Sequence, residues 1–181
     1  RLALEQARRE IARAARHDPL TDMLNGVGYR DAVLAMATRA EKAGSGLAIL
    51  HLKLDRSSRI NDTIGIAMGD HLLCETARRI DDALGTDAIA GRIGSDDFAI
   101  AMELRSPEME VDGFAEWMST VVNRPVTHDK VVMKVSAQIG YVVQQAGPFD
   151  VRRMQFNADI ASERARTEGL RPAVKAFTPH L

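Results

Sequence analysis

Four residues, Gly94-Ser95-Asp96-Asp97, sit between two short apolar runs, Ala88-Ile89-Ala90 and Phe98 to Met102. Runs this short on either side of a Gly-containing turn predict two antiparallel strands joined as a hairpin, with acidic groups at its tip. The remaining segments have to supply a sheet for that hairpin and the layers that cover it.

Those segments alternate between the two periods. Residues 1–16 hold no Gly or Pro, and Leu4, Ala7, Ile11, Ala14 and Ala15 recur at spacings of three and four, which predicts a helix with one apolar stripe. Its abrupt start reads as the tail of a longer connecting helix. Asp18-Pro19 breaks it, because proline disfavours helical geometry in the residue before it. A helix is expected from Gly26 to Lys42, ending at Ala43-Gly44-Ser45-Gly46, and a strand from Leu47 to Leu54, apolar except for His51 and Lys53. Asp55 to Asn61 is polar and turn-like. Leu72, Leu73, Ala77, Ile80 and Leu84 mark an amphipathic helix. Pro107 to Val122 reads as a helix, Val131 to Val143 as a strand, Phe149 to Arg166 as a long helix, and Ala173 to Phe177 as a closing strand. Interleaved in this way, they predict an α/β chain, an α+β sandwich on one antiparallel-rich sheet of about five strands.

Composition narrows the class. At 181 residues the chain is expected to be one domain. With 24 Lys and Arg against 25 Asp and Glu, it lacks the excess charge of a general polyanion binder, and 4% aromatics leave few platforms for stacking nucleic-acid bases. No apolar run is long enough to span a bilayer. The single cysteine, Cys74, excludes an internal disulfide and fits a reducing, cytoplasmic setting.

Polar groups collect at two strand ends. One group is Lys53, Asp55, Asn61 and Asp62, with Gly69-Asp70 further on; the other is Arg92 to Phe98. Each alone has a plain explanation. Asn-Asp and Gly-Asp pairs commonly cap helices or form turns, and Asp-Asp in a hairpin is usually solvated.

Taken in order, five stretches resemble the GGDEF domain family, which makes cyclic di-GMP from two GTP molecules. Asp18-Pro19-Leu20-Thr21-Asp22-Met23-Leu24-Asn25 is similar to its opening D-x-L-T-x-L-x-N. Leu54-Asp55 through Ile60-Asn61-Asp62 is similar to D-x-D-x-F-K-x-x-N-D, and Gly65 through Gly69-Asp70 to G-H-x-x-G-D. Arg92-Ile93-Gly94-Ser95-Asp96-Asp97-Phe98 resembles R-x-G-G-[DE]-E-F. Ser136 with Ile139-Gly140, then Ala158-Asp159 to Gly169, resemble S-x-G and A-D-x-A-L-Y-x-A-K-x-x-G. The resemblance spans about residues 17–177 and implies a nucleotide-cyclase-like fold.

It also implies a site, from which this chain departs. In the family, the first aspartate of D-x-D and the third signature residue hold two Mg²⁺ ions. The register set by Asn61 places Lys53 at that aspartate, so a cation replaces an oxygen ligand, while Asp96 matches the other ligand. Ser95 stands at the second signature glycine, after Gly94, and Asp97 is one methylene shorter than the usual Glu. Ser57-Ser58 replace Phe-Lys, and Ile66 replaces the His of G-H. Arg166 fits the phosphate-binding Lys, whereas Leu170 occupies the following Arg position. Gly85-Thr86-Asp87-Ala88 lacks the R-x-x-D of the inhibitory product site. Asn61 and Asp70, which by resemblance read the guanine edge, are kept.

The resemblance therefore implies a GTP-responsive regulatory domain with catalysis lost and Mg²⁺ weakly held or absent. Its partners would be an upstream sensor and an adjoining EAL phosphodiesterase, whose leading stretch Ala173 to Leu181 resembles. The alternatives are a nucleotide-free interaction module dimerising through residues 1–16, and a working cyclase. Lys53 is expected within ion-pair reach of Asp96 or Asp97. The five histidines show no zinc-ligand spacing. Cys74 reads as a buried core thiol, and Arg78-Arg79 and Arg152-Arg153 as solvated helix faces.

Overall fold

A computed structural model describes residues 1–55, 62–106 and 109–179, with the backbone alone for 62–64. Strand β1 (Gly46–Leu54) runs through the centre of a five-stranded sheet and is covered on both faces, as its nearly unbroken apolar run requires. Ahead of it lie α1 (Leu2–Arg16) and α2 (Gly26–Ala43). After it come α3 (Asp62–Ala83), β2 (Ala88–Arg92), β3 (Asp97–Leu104), α4 (Val111–Val122), β4 (Val126–His128), β5 (Val131–Met133), β6 (Ala137–Gln144), α5 (Val151–Thr167) and β7 (Val174–Ala176). The sheet order is β2-β3-β1-β6-β7, antiparallel except for the parallel β6–β7 edge. This is the predicted antiparallel-rich sandwich.

The two-residue period of β1 sorts its side chains into separate cores. Ala48, Leu50, Leu52 and Leu54 face one core with Leu73 and Ile80 of α3 and Met118 of α4. Leu47 and Ile49 face the other with Val33 of α2 and Met154 and Ala158 of α5. His51 and Lys53 continue this second face toward the strand end. Helix α5 lies hard against β6: a Cβ on Gly140 would fall 2.1 Å from the Ser162 amide nitrogen and 2.2 Å from the Ala158 carbonyl.

The opening motif is a joint between elements. Asp18 accepts from the Thr21 amide and hydroxyl at 2.9 and 2.8 Å, which closes the turn after α1. Leu24 bridges to Gly91 at the open edge of β2, and Asn25 caps α2 by accepting from the Gly28 amide at 2.9 Å.

Three sequence expectations need correction. The predicted strand 131–143 is two strands on different sheets. β5 turns back on β4 through Asp129-Lys130, both at positive φ (49° and 65°), a hairpin turn that the absence of glycine conceals. Helix α4 begins at Val111; Pro107 and Glu108 lie outside the described residues. Arg79 is not a solvated partner of Arg78. It reaches across to α4 and donates to the carbonyls of Arg124 (2.6 Å), Pro125 (2.9 Å) and Val122 (3.4 Å), satisfying a helix C-terminus.

Candidate nucleotide site

The hairpin register places the signature turn beside the end of β1. Lys53 pairs directly with Asp97 across β1–β3, and the Leu54 amide donates to the Asp96 carbonyl at 2.9 Å. Directly opposed residues on antiparallel strands share a face, so both side chains lie on the α5 side. Lys53 Nζ is 3.9 Å from Asp97 Oδ1, the ion-pair reach expected of it.

A second group holds the same carboxylate more closely. His51 Nε2 lies 3.0 Å from Asp97 Oδ1, and the imidazole is buried, with only 5% of its side chain exposed. A carboxylate offers only acceptors, so Nε2 carries the proton. This hydrogen bond holds the Asp97 carboxyl below the usual carboxylate range against the opposing cost of burial, with the charge of Lys53 adding to it. Asp159 Oδ1 is 3.7 Å from the same nitrogen. His51 falls in no metal-ligand spacing of the sequence. Its only sequence signal is its position two residues before Lys53, which puts both on one face of the strand.

The turn is built around Asp97. The Ile93 amide donates to the Asp97 carbonyl at 2.9 Å, and a Cβ on Gly94 would come within 2.7 Å of Asp97 Oδ2. A larger residue there would push the carboxylate aside. Ser95 is exposed, and its carbonyl accepts from Arg92 Nη2 at 2.8 Å. Asp96 is half-buried in the turn.

The C-terminal end of α5 closes the other side. Arg166 is ion-paired with Glu163, and each shifts the other toward its charged form. Glu163 also feels the charge of Lys53, and Arg166 that of Asp55, so this end of α5 stands beside the end of β1. The helix ends at Thr167, and Gly169 (φ +62°) turns the chain after it, with Leu170 beyond. Asp70 is exposed on α3, and Ile66 is open to solvent as well. Asn61 and Ser57-Ser58 lie outside the described residues. Cys74 is half-buried rather than fully buried, its thiol donating to the Leu20 carbonyl at 3.3 Å.

The GGDEF family is Mg²⁺-dependent in general, but the described residues do not fit that ion. A hard divalent cation wants several oxygens converging on it. Here an ammonium, that of Lys53, occupies one of the two ligand positions the resemblance implies and Asp96 the other, and among the described residues no group of three or more His, Cys, Asp or Glu could hold a metal.

Fold and site together define a sheet-centred α/β domain whose acidic hairpin turn is set against a strand end and a cationic helix end. The chain belongs to the diguanylate cyclase, GGDEF domain family, whose model matches residues 15–171. It is 28% identical over 167 residues, 92% of this chain, to a bifunctional diguanylate cyclase/cyclic di-GMP phosphodiesterase, MucR, of Pseudomonas aeruginosa, and spans 24% of that protein. An uncharacterised signalling protein of Caulobacter vibrioides and the diguanylate cyclase DgcN of Escherichia coli are likewise covered over only 20% and 35% of their length. A crystal structure of a sensory box/GGDEF family protein from Caulobacter crescentus superposes with a TM-score of 0.75 at 30% identity, covering 85% of this chain and 99% of that one. The coiled coil and GGDEF domain of DgcB from the same organism, solved with c-di-GMP, matches in fold with a TM-score of 0.81 at 23% identity, covering 96% and 92% of the two chains.

Proposed function

We propose that this domain is a regulatory, non-catalytic member of its family in a cyclic di-GMP signalling protein. It binds GTP without a metal and passes its state to an adjoining EAL phosphodiesterase. The supporting observation is the pairing of Lys53 with Asp97: a fixed cation stands where the family places a metal ligand, and its partner is a signature carboxylate. Two-metal activation of the attacking hydroxyl has no counterpart in that arrangement. Lys53 and Arg166, on facing elements, offer cations to a triphosphate, and Asn61 and Asp70 are assigned to the guanine edge. MucR, which carries both cyclase and phosphodiesterase activities in its name, is the kind of whole protein in which such a domain would serve.

Calorimetric titration of the chain with GTP, with Mg²⁺ and with EDTA, tests this reading. Affinity should be unchanged by Mg²⁺, and Lys53→Ala should weaken the metal-free binding by about fivefold, the scale of one partly exposed ion pair. Affinity that climbs steeply with Mg²⁺, or cyclic di-GMP accumulating at about one turnover per minute or faster, overturns it.

A second reading rests on α1. None of its residues is buried, and Leu4 and Ile11 on its apolar stripe are 58% and 71% exposed. A stripe of this kind is suited to pairing with a second copy, and an absence of any GTP binding would favour a dimerisation module.

A further inference from the structure

A cavity of about 450 Å³ opens between the N-terminal halves of α2 and α5, within the range of small-molecule sites. It lies over His51, and among the described residues assigned to guanine or phosphate, none of Lys53, Asp70 and Arg166 lines it. Arg152, Gln155, Phe156 and Asp159 enter it at spacings of three, four and seven, so they form one face of α5. Arg30 and Leu34 face them from α2.

The lining is polarised. The floor is the buried pair Tyr29 and His51, and the rim carries Phe156 and Leu34, which are 64% and 50% exposed. Arg30 and Arg152 are the cavity's two cations, and neither has an ion-pair partner among the described residues. Asp159, its one carboxylate, sits about 10 Å further along α5 from Arg152, at two turns of helix. An apolar slot lined by two guanidinium groups without ion-pair partners among the described residues suits a flat ring bearing an anion.

The floor also leads to the signature turn. The Tyr29 hydroxyl donates to Gln155 Oε1 at 3.0 Å, the Gln155 amide to His51 Nδ1 at 3.3 Å, and His51 Nε2 to Asp97 Oδ1 at 3.0 Å. Each group in the chain donates onward in one direction, so re-aiming Gln155 re-aims the imidazole that holds Asp97.

We propose that this cavity binds a small aromatic carboxylic acid, its carboxylate between Arg30 and Arg152, and that occupancy is transmitted through Gln155 and His51 to Asp97. The site operates without nucleotide, so its test is independent of the GTP-binding reading.

The probe is 2-naphthoate, titrated without GTP into the ¹⁵N-labelled 181-residue chain and followed by amide chemical shifts. Saturable shifts are expected at Gly26, Ile93 and Gln155, with smaller ones at Asp96 and Asp97. Uncharged 2-naphthamide, and 2-naphthoate against the Arg30→Glu/Arg152→Glu double variant, should each bind about tenfold more weakly. Gln155→Leu should still give saturable shifts at Gly26 and lose those at Asp96 and Asp97. Shifts that do not saturate, that map away from the cavity, or that are matched by 2-naphthamide overturn the site. Shifts at Asp97 that persist in Gln155→Leu overturn the transmission.

Discussion

Arg92 Nη1 donates to both carboxylate oxygens of Asp18, at 3.2 and 3.1 Å, with both side chains largely buried. This contact ties the turn after α1 to the strand that leads into the signature hairpin. Burial raises the Asp18 pKa, but the Thr21 hydrogen bonds and Arg92 more than offset it, and the net shift is downward. A carboxyl depressed by folding contributes stability that is present above its unfolded pKa of about 3.9 and lost as pH falls through the lower folded value. Urea midpoints measured from pH 6 down to pH 2 should therefore fall more steeply for the wild type than for Asp18→Asn. At neutral pH that variant should be about 2 kcal/mol less stable.

Arg79 and Arg78 are adjacent in sequence and should respond very differently to truncation. Arg79→Ala strips donors from the C-terminal carbonyls of α4 and should cost about 2 kcal/mol in urea unfolding. Among the described residues Arg78 is bonded only to Glu75 and Asp82 on its own helix, in exposed pairs, so Arg78→Ala should fall within about 0.5 kcal/mol of wild type.

Gly140→Ala forces a methyl group into the backbone of α5 and should cost about 3 kcal/mol or more, or prevent folding. Gly85→Ala is the comparison, since its added methyl meets nothing within 4 Å and should be nearly neutral. Thermal melts of the two variants check the contrast; similar melting temperatures would mean that α5 does not press on β6 as described.

His51 and Asp97 should be energetically coupled. In a double-mutant cycle with His51→Ala and Asp97→Ala, an interaction energy of about 1 kcal/mol or more is expected for a hydrogen bond to a charged group shielded from water. Additivity would remove His51 as the group that holds the turn.

Much of this site was legible from motif spacing. The count from Asn61 back to Lys53 set a lysine opposite the acidic turn, and the β1–β3 register makes Lys53 and Asp97 direct partners. What stayed hidden were contacts between residues far apart in the chain. Nothing near Arg79 announces a helix end more than 40 residues away, and nothing near His51 announces Gln155, 104 residues on. The β4–β5 turn was missed for a local reason: Asp129 and Lys130 adopt left-handed geometry that sequence reading assigns to glycine or asparagine.

Helix α5 carries Arg152 and Gln155 near its start and Arg166 near its finish, with Gly140 notched beneath Ala158 and Ser162 in between. An unbroken helix of 17 residues behaves as one rod of about 25 Å. The notch is then its fulcrum. A rod held close at its middle cannot swing one end without swinging the other, so the two ends answer to each other like the arms of a balance.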